Sequence, residues 1–145
     1  MMPNALKLEE SVRETALEVS RTEGVYDLVL LPASSGTIAA GVIRGFLARP
    51  GPAPSFVVHL GYSRPTGAVL GYISKAAGIG GVPGKFAASM LEVIDEKYAY
   101  SDVASAGPTP PWPCNQYYDL KTFRWWLRER GSYDRYTSVL LWNIG

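Results

Sequence analysis

The chain has 145 residues, 47% of them hydrophobic, which suits one domain spanning 1–145 with an ordinary core and excludes a disordered polypeptide. Its 14 basic residues face 13 acidic ones for a formal charge of +1, so no global field recruits nucleic acid or an anionic membrane. The single cysteine, Cys114, precludes an internal disulfide and suits a reducing cytoplasm, and no apolar run approaches the roughly 18 residues of a membrane span.

The opening MMPNALKLEESVRE lacks a basic segment followed by an apolar one, so it does not read as a secretory signal. Leu8, Val12, Ala16 and Val19 recur at helical spacing and Gly24 supplies a stop, which predicts a helix over 8–22. Residues 25–31 form an almost continuous apolar run, the pattern of a strand covered on both faces. A turn of small residues, Ser34, Ser35, Gly36 and Thr37, then leads into a helix with the stripe Ile38, Val42, Ile43 and Phe46. Gly41 and Gly45 give that helix a second, small face, on which the sheet is expected to pack closely. RPGPAP ends it.

SFVVHL, residues 55–60, predicts the next strand, and Pro65 opens another helix. GIGGVPGK reads as a flexible link and MLEVID, residues 90–95, as a third strand. The stretch SAGPTPPWPCNQYY is too rich in proline for regular structure. Asp119 is expected to cap a helix with the apolar face Leu120, Phe123, Trp126 and Leu127, ending at Gly131. SVLLWNIG is the last strand. Strands alternating with helices predict an α/β domain in three layers, with a mainly parallel sheet of about four strands and helices on both faces.

Ligands of such sheets bind beyond the carboxyl ends of the strands. There the first strand delivers Ser34 to Thr37, the second Tyr62, Ser63 and Arg64, the third Glu96, Lys97, Tyr98 and Tyr100, and the last Trp142, Asn143 and Gly145. Backbone amides of residues 35–38 and hydroxyls of Ser34, Ser35 and Thr37 suit a phosphate or carboxylate, and Gly36 leaves room for it. An ordinary helix cap fits the same residues equally well. The turn lacks the lysine of a Walker loop and the third glycine of the dinucleotide fingerprint. His59, the only histidine, reads as a hydrogen-bonded core residue, and neither it nor Cys114 has partners at metal-ligand spacing, so no metal is expected. Trp125 and Trp126 read as one core and one partly exposed residue.

Three segments in order, LPASSGTIAAGV, VIDEKYAYSDVA and TSVLLWNIG, resemble the phosphate cup, the D-P-V-Y-x-G-K-A segment and the final V-L-F-x-x-T-G-G strand of fold-type II pyridoxal-phosphate enzymes. The likeness is to the C-terminal half of the tryptophan-synthase-β-like superfamily, in its 1-aminocyclopropane-1-carboxylate deaminase and D-cysteine desulfhydrase branch. It implies a Rossmann-like domain with the cofactor phosphate on Ser34, Ser35, Gly36 and Thr37, Tyr98 beside the pyridine ring, and Asn143 close to it. Ala99 stands where the deaminases carry a glutamate near the ring nitrogen, and Ser101 where the motif has lysine. The family's cofactor-binding lysine belongs to the other half. Lys75, Lys85, Lys97 and Lys121 do not match its motif, leaving Lys97 and Tyr98 as weak catalytic candidates.

The resemblance implies one part of a split lyase or deaminase for a small amino acid, completed by an N-terminal-half polypeptide or by self-association. A non-catalytic remnant binding a phosphorylated small molecule or a protein, and an unrelated phosphate- or nucleotide-binding α/β domain, are the alternatives.

Overall fold

The computed structural model describes residues 4–78, 91–104, 107–112 and 116–143, with side chains from residue 9 onward. Cys114, Lys85, Gly145 and most of the GIGGVPGK link lie outside the described residues. Helix α1 (Asn4–Ser20) precedes strand β1 (Leu28–Ala33), helix α2 (Thr37–Ala48), strand β2 (Ser55–Leu60) and helix α3 (Thr66–Ala77). Strand β3 (Leu91–Ile94), helix α4 (Asp119–Glu129) and strand β4 (Val139–Leu141) follow. The described part of the proline-rich segment carries neither helix nor strand.

The four strands make one parallel sheet in the order β3-β2-β1-β4. Leu28 to Ala33 pair with Ser55 to Leu60, and Leu28 and Leu30 pair with Val139 and Leu141. The expected α/β architecture is therefore present, with helices on both faces. Alternate residues of β1 face opposite ways, as a strand requires. Val29, Leu31 and Ala33 join Phe56, Val58 and Leu60 in a core shared with α1, α2 and α3. Leu28, Leu30 and Val57 meet Trp125 of α4 on the other side.

Two expectations change. Gly41 and Gly45 receive α1 and not the sheet: a Cβ at Gly45 would lie 2.6 Å from Cβ of Val19 and 2.9 Å from the Ala16 carbonyl. The sheet takes Val42, Ile43 and Phe46 of the stripe, where large side chains fill volume, while Ile38 at the helix start is exposed, and two helix backbones approach where side chains are absent. Helix α4 buries Lys121, Thr122 and Trp125, while Phe123, Trp126 and Leu127 are only half-buried, and it stops at Glu129 before a 3₁₀ turn over Arg130–Tyr133. Asp119 is its first residue, not its cap, which is Tyr118. The rotation has a polar cause, because β2 presents His59 and the Gly61 carbonyl to this helix. β1 also begins later than expected, with Val25 84% exposed.

Candidate functional site at the carboxyl edge of the sheet

β1 is flanked by β2, reached through α2, and by β4, reached through α4 from the opposite face. The crevice between the carboxyl ends of β1 and β4 is thus the topological switch point of the sheet. The turn Ser34–Gly36 leaves β1 there, and Asn143 leaves β4 beside it, where the Trp142 amide donates to the Leu30 carbonyl at 3.0 Å. Two of the three expected cofactor-binding elements are neighbours across one strand gap.

Gly36 caps α2 with φ at 95°, a left-handed conformation that disfavours other residues. The Ala40 amide, donating to the Gly36 carbonyl at 2.9 Å, is the first to bond within the helix. Among the described residues the Ile38 and Ala39 amides meet no acceptor, as at any helix start. Ser35 is exposed and Ser34 half-buried. Thr37 differs: it is buried, its hydroxyl lies 2.9 Å from Ser35 Oγ and 2.9 Å from the Tyr72 hydroxyl, and its amide donates to Ser35 Oγ at 3.3 Å. Thr37 braces the turn against α3, and the donors left for an anion are the helix amides and the two serine hydroxyls.

Tyr98 follows β3, which lies two strands from β1, and not the strand that delivers the turn. Its ring covers the ammonium of Lys121, with Nζ 4.4 Å from the ring centroid. Lys121 is wholly buried and donates to the Gly61 carbonyl at 2.7 Å. Burial lowers its pKa and the Asp102 carboxylate opposes that shift. A side chain at Gly61 would strike the Tyr118 ring, so this glycine admits the start of α4. Lys97, at the outer edge, adopts φ 66° with its amide donating to Asp95 at 2.8 Å. Lys75 lies near the C-terminal end of α3, whereas Thr66 at its N-terminal end faces the carboxyl edge.

His59 is wholly buried beneath α4 and both ring nitrogens are engaged. Nε2 donates to Glu96 at 2.8 Å, since a carboxylate only accepts, and Nδ1 accepts from the Thr122 hydroxyl at 2.9 Å. Arg128 completes the chain by donating to the other Glu96 oxygen at 2.7 Å. Burial lowers the His59 pKa against the pull of Glu96, which keeps the ring neutral. The histidine is a satisfied core residue. This chain and Lys121 were not visible as a unit in the sequence; the one signal was a polar residue inside an otherwise apolar strand, which demands partners.

Among the described residues no group of three His, Cys, Asp or Glu side chains is placed to hold a metal, and no helix is long and apolar enough to cross a membrane.

Fold and edge together define a parallel α/β domain whose switch point presents unpaired helix amides beside serine hydroxyls. No protein-family model matches the chain. It is similar to a protein of Pseudomonas phage M6 named glycyl-dTMP PLP-dependent decarboxylase, at 38% identity over 152 aligned positions that cover 100% of this chain and 51% of the relative. The chain thus spans about half the length of that relative.

Proposed function

We propose that the chain is the cofactor-phosphate half of a pyridoxal-phosphate-dependent decarboxylase whose substrate is a thymidine nucleotide carrying a glycine unit with a free α-carboxylate. One observation carries the reading: similarity to the phage decarboxylase runs the full length of this chain, including the turn whose amides stand open at the switch point. The relative's name moves the reaction class from deamination to loss of an α-carboxylate.

Pyridoxal phosphate supplies the sink for the electron pair that remains when the carboxylate leaves as carbon dioxide. The chain's own contribution is binding and orientation. The helix dipole and the Ile38 and Ala39 amides would attract the phosphate and Ser34 and Ser35 would add hydroxyls, while Gly36 supplies the left-handed turn and packs against Tyr72 and Ile73 of α3. Thr37, through Tyr72, holds the turn in place. Asn143 lies two residues past the neighbouring strand β4.

No described lysine meets this site: Lys121 is enclosed, Lys97 is at the far edge beside Asp95, and Lys75 is remote. With Lys85 outside the described residues and not matching the family's lysine motif, this reading assigns the lysine that carries the cofactor to the half that this chain does not match. The polypeptide supplying it covers the half-open apolar groove between α4 and the free edge of β4, where Phe123, Leu127 and Leu140 line a hollow of about 640 Å³.

An absorbance titration of the chain with pyridoxal phosphate, with and without borohydride, tests the proposal. Saturable binding without covalent trapping is expected, and Ser35→Ala with Thr37→Val should abolish it while the thermal midpoint shows a folded protein. Unchanged affinity in the folded double variant sinks the assignment. Trapping on Lys97 or Lys121 sinks the external lysine.

A further inference from the structure

A second hollow on the carboxyl edge, of about 600 Å³, lies between the β2–α3 connection and the residues after β3. Arg64 lines it. The guanidinium carbon sits 4.2 Å from the Tyr62 ring centroid, and Nε and Nη2 are buried with no acceptor among the described residues. Buried donors of a charged group are costly to leave unmatched, so an acceptor is missing. Lys97 adds an ammonium on a side chain that is 80% exposed. The one acid of the hollow, Asp95, is already engaged: it accepts from the Ser63 hydroxyl at 2.7 Å, the Lys97 amide at 2.8 Å and the Lys97 ammonium at 3.4 Å. Two cations thus face one saturated carboxylate, and the hollow carries net positive charge.

Space and a flat surface adjoin these charges. A Cβ added at Gly67 would meet nothing within 4 Å. Tyr62 packs edge-on against Tyr100 at 4.9 Å, and Tyr100 is 71% exposed, leaving aromatic surface of the kind that planar bases stack on. The hollow follows β2 and β3, whereas the Ser34–Thr37 turn follows β1. Two anions can therefore bind the same edge without competing.

We infer that this hollow holds the phosphate monoester of the nucleotide substrate, with Arg64 as its anchor, Lys97 as a second cation and Tyr100 against the base. The inference deepens the proposed function and rests on its nucleotide substrate. A planar guanidinium matches phosphate oxygens in a two-point fork, which a point charge does not.

Calorimetric titration of the full chain with dTMP, thymidine and inorganic phosphate tests it, in parallel with the pyridoxal-phosphate titration. We expect dTMP to bind at least tenfold more tightly than thymidine or inorganic phosphate. Arg64→Gln should weaken dTMP at least tenfold and the exposed substitution Lys97→Ala several-fold, both leaving pyridoxal-phosphate binding unchanged. Tyr100→Ala should weaken dTMP but not inorganic phosphate. If dTMP does not saturate, if Arg64→Gln leaves its affinity unaltered, or if inorganic phosphate binds as well, the inference fails whatever the cofactor does. If Arg64→Gln instead removes pyridoxal-phosphate binding, the hollow serves the cofactor and the inference is overturned. Loss of cofactor binding in the serine-turn variant with dTMP affinity intact supports the separate hollow, and absence of cofactor binding in the unaltered chain faults the proposed function alone.

Discussion

On one face of the sheet Val29, Leu31, Phe56, Val58 and Leu60 meet α2 and α3 through carbon alone, whereas on the other His59 and the end of β2 meet α4 through hydrogen bonds from Thr122 and Lys121. The first face is specified by volume, since apolar packing has no direction but tolerates little change in size. The second is specified by matching donors to acceptors, which fixes orientation and penalises any missing partner. Both sit on the same strands. The difference explains why polar and ionisable groups gather at α4, the helix that lies over the carboxyl end of β2, while α1 and α2 close against each other through glycines.

The largest effect should come from the volume-specified side. Gly45→Ala places a methyl 2.6 Å from Cβ of Val19 and 2.9 Å from a backbone carbonyl, neither of which can yield unless α1 lifts off. We expect a loss of about 2 kcal/mol, overpacking outweighing the gain of about 1 kcal/mol that alanine offers over glycine in a helix. Gly71→Ala in α3, where the added methyl meets nothing within 4 Å, should do the opposite and stabilise by up to about 1 kcal/mol. Urea unfolding of both variants checks the pair. Equal shifts of one sign would remove the distinction.

A smaller effect belongs to the donor-specified side. Thr122→Val keeps the shape but leaves His59 Nδ1 buried without its donor, at a cost of about 1 kcal/mol or somewhat more. Thr122→Ser retains the hydroxyl and should lie close to the unaltered protein. Should valine match serine in the same unfolding measurement, shape and not hydrogen bonding would hold this face too.

The same division governs what the sequence disclosed. β2 was legible to the residue, because an apolar segment bounded by proline and glycine admits little else, and the helix after Gly36 was legible from its stripe. The buried face of α4 was not. Counting apolar residues favours Phe123, Trp126 and Leu127, yet the helix turns to bring Lys121 and Thr122 to β2, a demand set 60 residues away by His59 and the Gly61 carbonyl. Of the candidate site, the turn and Asn143 were legible as ends of parallel strands on one edge and joined only by the family resemblance, whereas their adjacency comes from the strand order. The bracing of Thr37 by Tyr72 and the unmatched guanidinium of Arg64 depend on side chains meeting in space, which no spacing rule encodes.

The smallest effect, and the sharpest probe of the polar face, is its response to acid. His59 is the only histidine in the chain, so titration between the carboxylates and neutral pH is dominated by one side chain. Burial holds its folded pKa below the ordinary 6.5, against the opposing pull of Glu96. As pH falls through 6.5 the unfolded chain takes up a proton that the folded chain refuses, so the unfolded state binds more protons and stability declines. The decline stops once the folded ring is itself protonated. Glu96, whose pKa lies below the ordinary 4.5 because the His59 and Arg128 donors outweigh its burial, adds a separate loss only in more acid solution. Urea midpoints should therefore fall between pH 7.5 and pH 5.5, and His59→Gln should flatten that interval while leaving the loss below pH 4.5 in place. If the unaltered protein shows no change across the interval, the ring is not held neutral and the donor-matching account of this face is wrong.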